Sequence, residues 1–186
     1  MTRVFRLFAL IGLLSSILLS CQCSNSQKST APPQTRKEIE DRRMEAQKQF
    51  LKKERASILA YMKDRKLDLE RTGTGLYYKL TKDSASEKIT TGDDVSFEYD
   101  MYLMNGTLVY SSAKEGTRKL LVDREDAEIG IHEILKLMSV GDKGLFILPS
   151  HLAFGVAGDQ NKIPPKTALV YEVKILNVNK SKSKLE

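Results

Sequence analysis

The chain has 186 residues, with 30 Lys/Arg against 24 Asp/Glu and a formal charge of +6, enough for one ordinary domain with extensions. The excess is uneven: residues 36–71 hold twelve basic and eight acidic side chains, whereas 73–178 hold twelve basic and fifteen acidic. An acidic folded region is unsuited to nucleic acid, whose binders concentrate Lys and Arg on their own face, and with both Cys before residue 24 it has no disulfide framework, thiol nucleophile or CxxC metal site.

Two arginines precede an apolar run, Leu7 to Leu19. A transmembrane helix needs about 20 such residues; this shorter run suits a signal-peptide core. Leu18-Leu19-Ser20-Cys21 resembles a bacterial lipobox. The resemblance implies cleavage of residues 1–20 and lipidation of Cys21, with the mature chain anchored in the cell envelope and facing the periplasm, since acyl chains bind by burying methylenes. Residues 21–35 are rich in Ser, Gln and Pro and read as a flexible tether.

Thr35 and Glu38 have capping-box spacing. No Gly or Pro follows until Gly73, and Ala, Glu, Lys, Arg and Gln dominate, which predicts a charged spacer helix within residues 36–71. Its first half is polar nearly all round. Its second half carries Leu51, Ile58 and Met62 on one stripe, with Phe50 and Tyr61 beside it, to dock either on the domain or on a second copy. The heptad pattern is too short to favour a coiled coil.

Thr72-Gly73-Thr74-Gly75 breaks the helical pattern, and Leu76 to Leu80 begins the strands. Val95, Phe97, Tyr99, Met101 and Leu103 alternate with polar residues, the mark of a strand with one buried face. Asn105-Gly106 signals a hairpin in which both residues tolerate positive φ. Thr107–Tyr110 and Lys119–Val122 read as short strands. Ile131, Ile134, Leu135 and Met138 recur at helical spacing before Gly141. Gly144–Leu148 and Thr167–Asn177 flank a loop whose Leu152, Phe154 and Ile163 exceed what a solvent turn needs. The reading is an α+β domain over 72–178, five to six antiparallel strands with one short helix, followed by a basic tail at 179–186.

Tyr99, Asn105-Gly106, Ser111-Ser112, Met138-Ser139-Val140-Gly141, Leu152-Ala153-Phe154-Gly155, Ile163-Pro164-Pro165 and Leu169 to Val173 stand in an order and spacing that resembles FKBP-type peptidyl-prolyl cis-trans isomerases. The leader, tether, charged helix and single domain are similar to the gliding-motility-associated lipoproteins of that family. The resemblance implies a bent antiparallel sheet wrapped around the short helix, with a shallow apolar pocket between them and no cofactor or metal. It implies isomerisation of X-Pro bonds in envelope proteins or, alternatively, a non-catalytic chaperone or assembly module that holds proline-containing segments. Oligomerisation through the N-terminal helix is a further partner reading.

Carried over by position, the catalytic set is Tyr99, Phe154, Ile163 and Tyr171; the substrate-binding set is Val109, Tyr110, Leu120, Ala127, Glu128 and Ile131. Phe154 stands where the family has a tyrosine, Tyr171 where it usually has a phenylalanine, Val109 where it has a phenylalanine, Tyr110 where it has an aspartate, and Ile131 where it has Trp or Leu. Glu128 replaces an aliphatic residue whose backbone amide is the donor. The cleft is therefore expected to keep apolar walls but to lack an acidic group and an aromatic lid. Pattern alone reads Tyr99, Ile131 and Tyr171 as core packing, His132 and His151 as structural or exposed, and Asp123, Glu125, Asp126 and Glu128 as a solvated acidic face.

Overall fold

The computed structural model describes residues 35–181. The leader, Cys21 and most of the tether lie outside the described residues. Helix α1 spans Arg36–Asp64 and opens with the predicted capping box: Thr35 Oγ1 accepts the Glu38 amide and Glu38 accepts that of Thr35. The helix ends earlier than the spacer segment, because Lys66 takes a left-handed conformation (φ 53°) and Glu70–Arg71 turns back into the sheet as β1.

Strands β2 (Tyr77–Lys82), β3 (Asp94–Leu103), β4 (Leu108–Ser111), β5 (Arg118–Leu121), β6 (Lys143–Leu148) and β7 (Leu169–Asn179) complete a seven-stranded antiparallel sheet. The order is β1-β2-β6-β7-β3, and both β4 and β5 pair with the far edge of β3. Between those two, one helical turn, α2 (Ser112–Glu115), interrupts the edge. Ser111 Oγ caps it by accepting the Ala113 amide and donates to Asp100.

The β3–β4 hairpin turns at Asn105-Gly106, as the sequence predicts. Only Gly106 has positive φ, 87°. Its amide bonds the Leu103 carbonyl, while the Asn105 side chain accepts the Thr107 amide. This is a turn followed by a glycine bulge, which shifts the register between Met101 and Tyr102.

Period-two alternation sends the two faces of the sheet to different partners. Val95, Phe97 and Met101 of β3, with Leu169, Tyr171, Val173 and Ile175 of β7, face helix α3 (Ile129–Leu137) and bury its Ile131, Ile134 and Leu135. Each such aliphatic contributes about 1.5–3 kcal/mol on burial. Gly130 is fixed by this close approach: a Cβ there would lie 2.5 Å from Leu148 Cδ2 and 2.6 Å from the Leu152 carbonyl.

On the other face, Ile58 of α1 packs with Tyr77, Ile147, Ala168 and Val170. The helix therefore docks on the domain. Ile58 is the centre of the contact and Met62 and Tyr61 flank it, but Leu51, expected on that stripe, is 39% exposed. Glu54, one turn before Ile58, is buried instead.

Candidate functional site

The β6–β7 connection begins with a short 3-10 turn, Ser150–Leu152, whose Ser150 carbonyl accepts the amides of Ala153 and Gly155. The loop is then closed on itself by Asp159, which accepts the amides of Asn161 and Ile163 at 2.9 and 2.7 Å. Gly158 makes this possible: its φ is +67°, and a Cβ would lie 2.2 Å from the Ile163 carbonyl.

This closure points Ile163 inward, where it is buried with Val109, Leu120, Ile131 and Tyr171 in one apolar cluster. Tyr99, Tyr110, Ala127 and Phe154 are partly buried against the same cluster. Nine of the ten carried-over residues thus belong to the domain's main apolar core or pack against it. The tenth, Glu128, occupies the N-cap position of α3 without a side-chain capping bond, its carboxylate pairing instead with Arg118 at 3.2 Å, so it is not part of a solvated acidic face. Asp123 is likewise engaged, holding Lys136 and Thr91, and its amide donates to Nδ1 of the buried His132 at 3.0 Å.

The polar groups of the site are paired across its rim. The Tyr99 amide donates to Ser112 Oγ and its hydroxyl donates to Glu115 at 2.8 Å. Burial and then the adjacent Glu115 carboxylate push the Tyr99 phenol up to about 12. The Tyr110 hydroxyl donates to Asp159, and that bond raises its phenol above the ordinary range. Partial burial pushes the Asp159 carboxyl upward, but the Tyr110 hydroxyl and three loop amides outweigh it and hold it at about 2. Lys162 reaches the Val109 carbonyl at 3.0 Å and lies 4.3 Å from the Tyr110 ring centre.

An acidic group is therefore present after all. It comes from the loop, Asp159, rather than from the hairpin position filled by Tyr110. Glu115, Arg118 and Lys162 stand beside it, and no local sequence pattern marks any of the four. Their only signal is proximity in space.

A groove of about 620 Å³ on the outer sheet face shares only Tyr99 with this set. Its walls carry Glu98, Glu172, Lys143 and Lys174, which suit water better than an apolar ligand. The cluster around Tyr171, by contrast, offers rings, aliphatics and protonated hydroxyls.

An antiparallel sheet covered on one face by a short helix, with a long β6–β7 loop packed against the same core, is the α+β FKBP-like architecture. Residues 85–176 match the model of the FKBP-type peptidyl-prolyl cis-trans isomerase family, and this part of the chain is a domain of that family. The chain is 33% identical over 107 residues to a probable FKBP-type peptidyl-prolyl cis-trans isomerase FkpA of Neisseria meningitidis, covering 58% of this chain and 39% of that protein. It is 30% identical over 117 residues to a probable isomerase of the same type from Haemophilus influenzae, covering 63% and 48%. It thus spans less than half the length of these curated relatives. The crystal structure of FkpA from Escherichia coli superposes with a TM-score of 0.58 at 25% identity, over 79% of this chain and 74% of that one.

Proposed function

We propose that the chain is a peptidyl-prolyl cis-trans isomerase acting on proline-containing polypeptide segments. The observation that carries this reading is the single apolar cluster joining Phe154 and Ile163 from the loop to Tyr99 and Tyr171 from the sheet. An X-Pro amide is planar because resonance holds it so, with a barrier of about 18–20 kcal/mol. Twisting abolishes the resonance and makes the bond less polar. A dry, ring-lined cleft favours that twisted state over the planar one, which is catalysis by differential binding. Val109, Leu120, Ala127 and Ile131 supply the apolar surroundings, and Tyr110 and Glu128 stand at the rim. Because the uncatalysed step takes tens of seconds, even a modest reduction matters to a folding chain.

A protease-coupled isomerisation assay with a short proline peptide tests this. A rate above background supports it. No rate, with binding of proline-containing segments retained, would make the protein a chaperone or assembly module.

The same reading places the protein in a bacterial envelope, tethered by lipid on Cys21 and serving envelope proteins. Its support is the Leu18–Cys21 pattern and the polar stretch after it. Membership of the gliding-motility-associated subgroup belongs to this proposal too, resting on the order of leader, tether, helix and domain. Among the described residues no helix is long and apolar enough to cross a membrane. Incorporation of labelled palmitate that Cys21→Ala abolishes would support the anchor, and unchanged incorporation would sink it.

A further inference from the structure

A cavity of about 410 Å³ lies in the crease where α1 docks on the sheet, between the second half of the helix, β1 and the turn at Pro149 and His151. Three cations line it: Lys52 and Arg55 from α1, and Arg71 from β1. None of the three has a hydrogen bond or an ion pair among the described residues. Arg71 only faces the Tyr77 ring, 5.8 Å from its centre. Tyr77 itself is buried in the cavity wall, and its hydroxyl is without a partner too. The carboxylate in the lining, Glu54, is committed to the Ser150 amide at 2.8 Å. Gly75 keeps the entrance open: its φ is +105°, and a Cβ there would lie 3.3 Å from Arg71 Nη2 and 3.9 Å from His151 Cε1. Guanidinium and imidazole thus converge on a bare stretch of backbone.

A guanidinium presents paired N–H donors that match a carboxylate, and Arg55 and Arg71 bring two such forks to one cavity from separate elements. Ile58, Tyr77 and Pro149 add apolar surface beside them. The volume is that of a site for an organic group rather than a bare ion, and the Glu54 charge opposes a dianion more than a single carboxylate. We propose that this crease binds a polypeptide segment through a carboxylate on an aliphatic stem, an acidic side chain or chain end next to leucine-like residues. The inference rests on the isomerase reading for the nature of the ligand, a polypeptide client, and gives that client a second hold. Pro149 and His151 flank Ser150, whose carbonyl holds Ala153 and Gly155, so the wall of the crease continues into the loop that carries Phe154.

Fluorescence anisotropy of the full chain with a short labelled peptide of alternating leucine and glutamate tests this. The acidic peptide is expected to bind, and its glutamine counterpart with an amidated end to bind about tenfold more weakly, the worth of one charge-assisted bond. Arg55→Gln and Arg71→Gln should each weaken the acidic peptide by about the same factor at an unchanged melting point, since neither side chain bonds the fold together. Lys143→Gln, in the groove on the outer sheet face, should leave binding alone. Equal binding of the two peptides overturns the inference, because the crease would then be merely apolar. Binding untouched by both arginine variants also overturns it, as does displacement of the acidic peptide by inorganic phosphate at equal concentration. The readout is binding, not turnover: a parent that holds the acidic peptide but isomerises nothing loses the isomerase reading alone, and an active parent that ignores the peptide loses this inference alone.

Discussion

The carboxylate of Glu54, in the second half of α1, accepts the backbone amide of Ser150 at 2.8 Å across a sequence separation of 96 residues. Both residues are buried. Ser150 in turn holds Ala153 and Gly155 through its carbonyl, so the helix bonds the turn from which Phe154 projects. At the loop's other end Lys166 lies 5.3 Å from the Phe50 ring centre and its amide donates to Gly155. The spacer helix is thus also a brace for the loop.

Glu54→Ala strands the buried Ser150 amide and is expected to destabilise the protein by about 1–3 kcal/mol in urea unfolding. Glu54→Gln keeps an acceptor and should lose much less. If the alanine variant were as stable as the parent, the brace would carry no weight.

Asp159 and Tyr110 join the loop to the hairpin. Tyr110→Phe removes one bond to a charged group and is expected to cost roughly 1–2 kcal/mol. Asp159→Ala also releases the amides of Asn161 and Ile163, so its cost should be larger. The double variant should lose little more than Asp159→Ala alone, because the shared bond is already gone. Simple addition of the two losses would show that the residues act independently. Hydrogen exchange at Ile163 offers a second readout, with faster exchange expected in the alanine variant only.

Much of this fold is legible in the chain because its signals are periodic and local. Val95 to Leu103 alternates over nine residues, and the stripe through Ile131 and Leu135 can be nothing but a helix facing a core. The loop betrays itself by Phe154 and Ile163, apolar residues among Gly and Pro. What escaped is what depends on partners distant in sequence. Glu54 looks like any glutamate of a charged helix until Ser150 is placed against it. Glu70–Arg71 has no apolar pattern and becomes a strand only because Tyr77 and Tyr78 lie beside it. Asp159 could not be read as the acid of the site while the aspartate was sought at position 110. The pattern places Tyr171 on an inward-facing strand position, but nothing in the chain tells that its hydroxyl has no partner.

Three structured aspartates set the acid limit. Burial pushes Asp93 and Asp142 upward, yet their hydrogen bonds outweigh it: Ser181, Thr90 and Lys180 on the first, Ser84 and Ser139 on the second. Asp159 is held at about 2. All three fall below the unfolded value of about 3.9, so the folded state binds these protons less tightly than the unfolded one does. Their contribution is complete above pH 4 to 5 and is lost as pH falls through the folded values. The urea midpoint should therefore be nearly flat from pH 7 to about 5 and drop steeply from about 4 to 2. A midpoint that held steady to pH 2.5 would contradict the network, and Asp159→Asn should flatten part of the drop.

Phe154 is the side chain for which site and scaffold are easiest to separate. It is only partly buried against the cluster, whereas a phenylalanine wholly in a core loses about 3–5 kcal/mol on truncation to alanine. Phe154→Ala should cost roughly half of that or less, since much of the ring already meets solvent. On the proposed isomerase reading its rate should nevertheless fall by about tenfold or more, because there the ring would be the outer wall against which a proline is held dry. The comparison is Phe97→Ala, whose ring is fully buried on β3 and which should lose stability first and activity only through unfolding. If Phe154→Ala instead unfolded as readily as Phe97→Ala, the ring would be core and the cleft would have to be redrawn around Tyr99 and Tyr171.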